Sequence, residues 1–279
     1  FTATGAAGAA AQLQVQTQPS SSAQSGVALA TQPAVRLADV FGNLVTTNGT
    51  VVTAALALGG GTLGGTLTAN TVSGVATFTN LSISGPSGTY AIRFTSGSLT
   101  PDTTAAITIG AGAASRLAVV TQPSTTAQNA VAFAQQPRVQ VQDAANNPVA
   151  GVRSVTVAIN TGGGTLGGTA TINTDASGLA TFTGLSITGT TGGRTLVFSS
   201  AGLTSIVSGT VTITAGAPTQ MAVNAGNSQT AIAGSAVATA PSVVVRDVSN
   251  NPVSGVAVTF AVASGGGSVL PVAAVNTNA

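Results

Sequence analysis

The chain has 279 residues, a length for two or three domains. Only 4% are charged, the seven cations all Arg and the five anions all Asp, for a net charge of +2. With no Cys, His, Lys, Glu or Trp, the composition excludes disulfides, thiol nucleophiles, histidine triads and the usual zinc ligands.

The arginines, at 36, 93, 116, 138, 153, 194 and 246, are too scattered to form a basic footprint. Tyr90 is the sole tyrosine, so base-stacking platforms are missing as well, and no nucleic-acid partner is expected. No apolar run approaches the ~18 residues of a membrane span, so none is expected in this segment. Val, Thr and Ile suit strands and Gly suits turns, which points to an all-β chain.

In chain order, the first strand covers Leu13–Val15 and recurs at Leu117–Val119 and Met221–Val223, an offset of 104. The run from Pro33 (PAVRLADVFGN) recurs as PRVQVQDAANN from Pro137 and PSVVVRDVSNN from Pro241. Apolar residues alternate within it: Val35 and Leu37, then Val139 and Val141, then Val243 and Val245. The next strand alternates as Val155, Val157 and Ile159. A period of two kept in three copies predicts half-buried antiparallel strands with one face on a core.

ATFTNLSISG from Ala76 recurs as ATFTGLSITG from Ala180. Its inward parity reverses across Asn80 or Gly184, which predicts a bulge or bend at a residue tolerant of left-handed backbone. Phe78 and Phe94, with Phe182 and Phe198, fall in phase with the inward face and are expected to anchor the core. The Gln-Pro pairs ending at Pro19, Pro33, Pro123 and Pro137 are expected to break strands and blunt edges.

Each module then has about seven strands, with turn signals at sandwich spacing. The expected domains are residues 1–11, the last strand of a preceding module plus linker; 12–114 and 115–217, two complete modules; and 218–279, a truncated third. Phe1–Gly5 align with a module's final strand. The predicted fold is a set of tandem immunoglobulin-like antiparallel β-sandwiches joined end to end as a rod.

DAANNPVAGVRSVTVAI, then GGGTLGG, then NTDASGLATFTGLSI, resembles the bacterial immunoglobulin-like (Big) repeats of invasin- and intimin-type and giant surface adhesins. The shared pattern is an Asp at a strand end, an Asn-Pro-Val-x-Gly turn, and a Thr-Asp-x-x-Gly-x-Ala-Thr stretch. The second module carries all of it, through Asp143, Asn147, Pro148, Val149, Gly151, Thr174, Asp175, Gly178, Ala180 and Thr181. The first module departs, with Gly42-Asn43-Leu44 lacking proline and Thr71-Val72-Ser73 replacing Thr-Asp.

The resemblance implies a structural segment of a bacterial extracellular surface protein, an adhesin stalk or fibre whose partners are neighbouring modules of its own chain. Alternatives are a self-associating filament subunit, a receptor- or ligand-binding adhesive module, and a virion-surface decoration domain. No catalytic residue and no cofactor is expected.

Two motifs have sharper readings. GGGTLGGT, at Gly59–Thr66 and again at Gly162–Thr169, contains the G-x-G-x-x-G spacing of dinucleotide loops. A phosphate loop must open a helix, whereas strand-like sequence follows here, so the stretch is expected to be a connection crossing between sheets. Asp39, Asp143 and Asp247 recur beside Asn43, Asn147 and Asn251. They are weak calcium candidates, because calcium wants several carboxylates, and the favoured role is an Asx-type turn.

Overall fold

The computed structural model describes residues 6–269 and 273–278, and it is all-β, without a helix among them. The strand expected at Phe1–Gly5 lies outside the described residues. Backbone contacts divide the chain into two compact units. The first is Phe1–Arg116 with Val141–Gly151, and the second is Leu117–Gln140 with Val152–Ala279.

In the first unit the strands are β1 (Gln12–Thr17), β2 (Ser22–Gln24), β3 (Ala34–Ala38) and β4 (Val51–Leu58). They continue with β5 (Thr62–Gly64), β6 (Thr68–Asn70), β7 (Val75–Thr77) and β8 (Ser82–Ser84). The last are β9 (Gly88–Thr95), β10 (Asp102–Thr103) and β11 (Ile107–Gly110). One sheet has the order β1-β3-β7, the other β2-β11-β9-β4-β6 with β10 on β9, and β5 pairs β8 alone. Pairing is antiparallel except between β2 and β11, which run parallel.

Sequence periodicity suggests about seven strands, and the additional ones here are short pieces. The initial strand is split: β1 ends at Thr17, Pro19 intervenes, and β2 joins the opposite sheet. Proline cannot donate to a ladder, so the change of sheet falls where a ladder would fail anyway. The parity reversal has a similar local cause. Asn80, with φ 57°, and Gly184, with φ 68°, take left-handed backbone between flanking strands.

The core fills the space between the sheets. Leu13, Val35, Leu37 and Ala76 face Val52, Ala54, Ile92, Phe94, Ile107 and Ile109. The rings of Phe78 and Phe94 lie 5.0 Å apart at 43°, a tilted aromatic pair.

The second unit repeats this plan. Its strands are β12 (Arg116–Thr121), β13 (Thr126–Gln128), β14 (Arg138–Gln142) and β15 (Ser154–Thr161). Then come β16 (Thr165–Gly167), β17 (Thr171–Asn173), β18 (Leu179–Thr181) and β19 (Ser186–Thr188). β20 (Gly192–Ser199), β21 (Ile206–Val207) and β22 (Val211–Thr214) complete the copy. The sheet orders are β12-β14-β18 and β13-β22-β20-β15-β17, with β21 on β20 and β16 paired to β19.

Phe182 and Phe198 are fully buried, 5.4 Å apart. Val139, Val141, Val155 and Val157 are buried too. Ile159 is only half-buried, because β15 bulges between Ile159 and Thr161 and turns the strand end outward. The unit also holds β23 (Gln220–Ala225), paired with β24 (Ser242–Arg246), and β25 (Ala257–Val258), paired with β26 (Val275–Asn276).

The glycine stretch leaves the sheet of β4 for a separate two-stranded one, as expected, but the chain then comes back. β4 and β6, on either side of it, pair with each other in one sheet, and β5 between them reaches out to β8. The glycines make room for what lies beneath. A Cβ at Gly59 would overlap the Tyr90 ring, and one at Gly162 would overlap the Arg194 side chain. Tyr90 and Arg194 stand at equivalent positions, 104 apart. The Tyr90 hydroxyl donates to the Pro86 carbonyl at 2.7 Å. Arg194, also buried, donates to the carbonyls of Gly163, Gly193 and Thr190 instead.

Candidate functional site

The five acids do not cluster, and no group of three metal-ligating side chains occurs among the described residues. What recurs is a polar clasp around Asp39, Asp143 and Asp247. Each follows directly on a strand, β3, β14 or β24, whose alternation ends there. The chain then turns through a residue with positive φ: Gly42 at 83°, Asn146 at 69° and Asn250 at 64°. Gly and Asn are the residues that accept this backbone most readily.

The Asp143 loop belongs to the first unit. Asp143 Oδ1 accepts the backbone N–H of Ala145 at 2.9 Å and of Asn147 at 2.8 Å. Its Oδ2 accepts the Asn147 Nδ2 at 2.8 Å and the Gly112 N–H at 2.7 Å. The Asn147 amide reaches further. Its Nδ2 donates to the Gly85 carbonyl at 3.0 Å, and its Oδ1 accepts the Ser87 N–H at 2.6 Å. One side-chain amide thus pairs with the 85–87 turn between β8 and β9 much as a neighbouring peptide would. Ser25 braces that turn, since its Oγ exchanges hydrogen bonds of 3.0 Å with the Gly85 carbonyl and N–H.

The second unit repeats the clasp. Asp247 Oδ1 accepts the N–H of Ser249 and of Asn251, both at 2.9 Å. Its Oδ2 accepts Asn251 Nδ2, the Gly216 N–H and Asn129 Nδ2, each at 2.9 Å. Asn251 Nδ2 also donates to the Gly189 carbonyl, and Asn251 Oδ1 accepts the Thr191 N–H, again at 2.9 Å. Asn129 stands where the first copy has Ser25 and adds a direct bond to the carboxylate.

Asp143, Asn147, Asp247 and Asn251 are all buried. Burial pushes the Asp143 carboxyl up, but the Asn147 amide and the N–H groups of Gly112, Asn147 and Ala145 outweigh it and hold it below the usual range. Asp247 is held down in the same way. Asp39 is lowered to about 2, chiefly by the Asn43 side chain and then by the Gly8 N–H. Asp175 is an exposed relative, lowered first by the Ser177 hydroxyl and then by the Leu179 N–H.

This donor set fits a structural carboxylate better than a calcium ligand. The oxygens of Asp39, Asp143 and Asp247 face N–H donors, and a cation would have to displace them.

Sequence reasoning identified the Asp–Asn pairs but not their partners. Gly8, Gly112 and Gly216 recur at the same 104-residue spacing inside the Ala-rich junctions, which is the signal that could have found them. A Cβ at Gly112 would come within 2.6 Å of the Ser25 carbonyl oxygen, and one at Gly216 within 2.8 Å of the Asn129 oxygen. The glutamines of the Gln-Pro pairs were also missed. Gln32 Nε2 donates to Leu29 and Leu81 carbonyls while its Oε1 accepts the Leu81 N–H, and Gln136 does the same at Phe133 and Leu185.

No family model and no curated protein matches the chain. Among solved structures, the Escherichia coli adhesin FdeC is similar at 16% identity, over 90% of this chain and 79% of that one, with a TM-score of 0.38. The D0-D1 domain of intimin matches at 18% identity, over 73% of this chain and 98% of that one, at 0.28. A β-glycosidase from Bacteroides vulgatus matches at 11% identity, over 72% of this chain and 24% of that one, at 0.31. The strand order described above carries the fold assignment: all-β, built of immunoglobulin-like sandwiches.

Proposed function

We propose that this chain is a structural repeat segment of a bacterial extracellular surface protein, a rod-like spacer of an adhesin stalk or fibre rather than an enzyme. One observation carries the reading. Twice, the Asp–Asn loop of one repeat is hydrogen-bonded to the turn at the end of the repeat before it, at Gly85–Ser87 and at Gly189–Thr191. Such bonds are what a spacer built of successive repeats would use at its junctions. The sequence resemblance to Big repeats supports the cell-surface location, and the shortage of chemically active side chains suits a part that carries load. No helix among the described residues is long and apolar enough to cross a membrane.

Negative-stain microscopy of the purified chain tests the proposal. Isolated beaded particles of one length support a spacer. Long regular fibres would reassign the segment as a filament subunit, and compact particles without beads would reject both.

A further inference from the structure

The first repeat carries the same clasp with one side open. Asp39 Oδ1 accepts the Asn43 N–H at 2.8 Å, and its Oδ2 accepts Asn43 Nδ2 and the Gly8 N–H, both at 3.0 Å. The internal half is therefore built. The outer half is not: Asn43 Oδ1 has no hydrogen-bond partner among the described residues, and Asn43 is exposed where Asn147 and Asn251 are 5% and 4% exposed.

Two neighbouring features point the same way. Phe41 is 85% exposed and Val40 71%, whereas the counterparts of Phe41, Ala145 and Ser249, are half-buried. A Cβ at Gly8 would meet only the Asp39 side chain at 3.7 Å, while its equivalents at Gly112 and Gly216 would strike the backbone carbonyls of Ser25 and Asn129, the residues whose side chains bond Gly85 and Gly189 of the docked turns. Among the described residues, none stands beside Gly8 where Ser25 and Asn129 stand beside Gly112 and Gly216.

We propose that the Asp39–Asn43 loop, with Val40 and Phe41, is a docking surface for a further immunoglobulin-like repeat presenting a Gly-x-Ser or Gly-x-Thr turn. The Gly carbonyl would accept from Asn43 Nδ2, and the Ser or Thr N–H would donate to Asn43 Oδ1. The occupant is identified by the two filled copies, which hold Gly85-Pro86-Ser87 and Gly189-Thr190-Thr191. Phe41 adds apolar contact that the other junctions lack, because Ala145 and Ser249 replace it there. The inference rests on the spacer reading and names the partner of its first junction.

The chain has no Trp, so Phe41→Trp installs a single fluorescent probe. Acrylamide quenching is compared between the 279-residue chain and the same chain with a second copy of residues 8–111 placed ahead of Gly8. Several-fold weaker quenching in the extended chain, reversed by Asn43→Ala, is the expected result. Equal quenching in both chains overturns the proposal, and so does shielding that survives Asn43→Ala. Asn147→Ala separates the two readings. If it speeds hydrogen exchange at the Ser87 amide while the indole stays open, only the docking surface fails. If it leaves Ser87 protected, the clasp itself is wrong and both readings fall.

Discussion

Removing one clasp carboxylate is the most direct test of what holds a junction, and Asp143→Ala does so within the first unit. Four N–H donors lose their acceptor: Gly112, Ala145, Asn147 and the Asn147 side chain. They do not lose equally. The Asn147 amide keeps the Gly85 carbonyl, and the Ala145 N–H sits in a half-buried loop where water can replace the carboxylate. The Gly112 N–H, in a buried hydrogen bond against Ser25, has no such substitute. One stranded buried donor costs about 1–3 kcal/mol, and the lost Asx turn adds about 1 kcal/mol, giving a total of about 2–4 kcal/mol. Asp143→Asn recovers only part, because its one oxygen serves one pair of N–H donors while its NH2 faces the other pair. A urea melt reads the total, and hydrogen exchange at Gly112 and Ser87 reads its location. Asp175→Ala, which removes an exposed Asx turn, should leave both amides as they are. A loss under ~1 kcal/mol with Gly112 and Ser87 still protected would show that the carboxylate does not organise the loop.

Four further outcomes follow from the same geometry. Phe182→Ala, which empties a fully buried site against Phe198, costs about 3–5 kcal/mol in a denaturant melt, and under ~1 kcal/mol would contradict its core role. Gly65→Ala puts a Cβ onto the Asn80 carbonyl at a φ of 93° and costs about 1–3 kcal/mol, whereas Gly60→Ala, with nothing near it, is close to neutral. Equal melts for the two would refute the packing account of the glycine stretch.

For pH, the folded carboxyl of Asp39 lies at about 2, below its unfolded value of 3.8. A depressed carboxylate stabilises fully above its unfolded value and loses that contribution as pH falls through the folded one. Amide protection factors in the Asp39 loop, taken relative to the intrinsic exchange rate at each pH, should therefore stay flat from pH 8 to 5 and fall between about 4 and 2; a fall near pH 6 would be unexplained in a chain without His. Finally, a chelator should leave the melting temperature unchanged, and a clear fall would reinstate calcium at the Asp sites.

The sequence by itself determined the repeat, the strand alternation and the inward faces. Each rests on local rules, namely the period of two, the tolerance of Gly and Asn for left-handed backbone, and the self-similarity at 104. For the same reason Phe78, Phe94, Phe182 and Phe198 could be placed in the core before any coordinates. Those local rules also suggested Asx turns at Asp39, Asp143 and Asp247.

Partners far away in the chain were decided only by the tertiary structure. Asn147 meets Gly85 and Ser87 across 62 and 60 positions, and Asn129 meets Asp247 across 118. No periodicity reports which of many Asn residues will pair at that distance. The glycine stretch shows the same limit. Its flexibility was legible, but the direction it takes depends on β6 pairing back to β4 and on Tyr90 or Arg194 filling the space below. Local chemistry fixes what a residue can do, whereas folding settles which neighbour it does it with, because long-range contacts are chosen by packing and not by adjacent sequence.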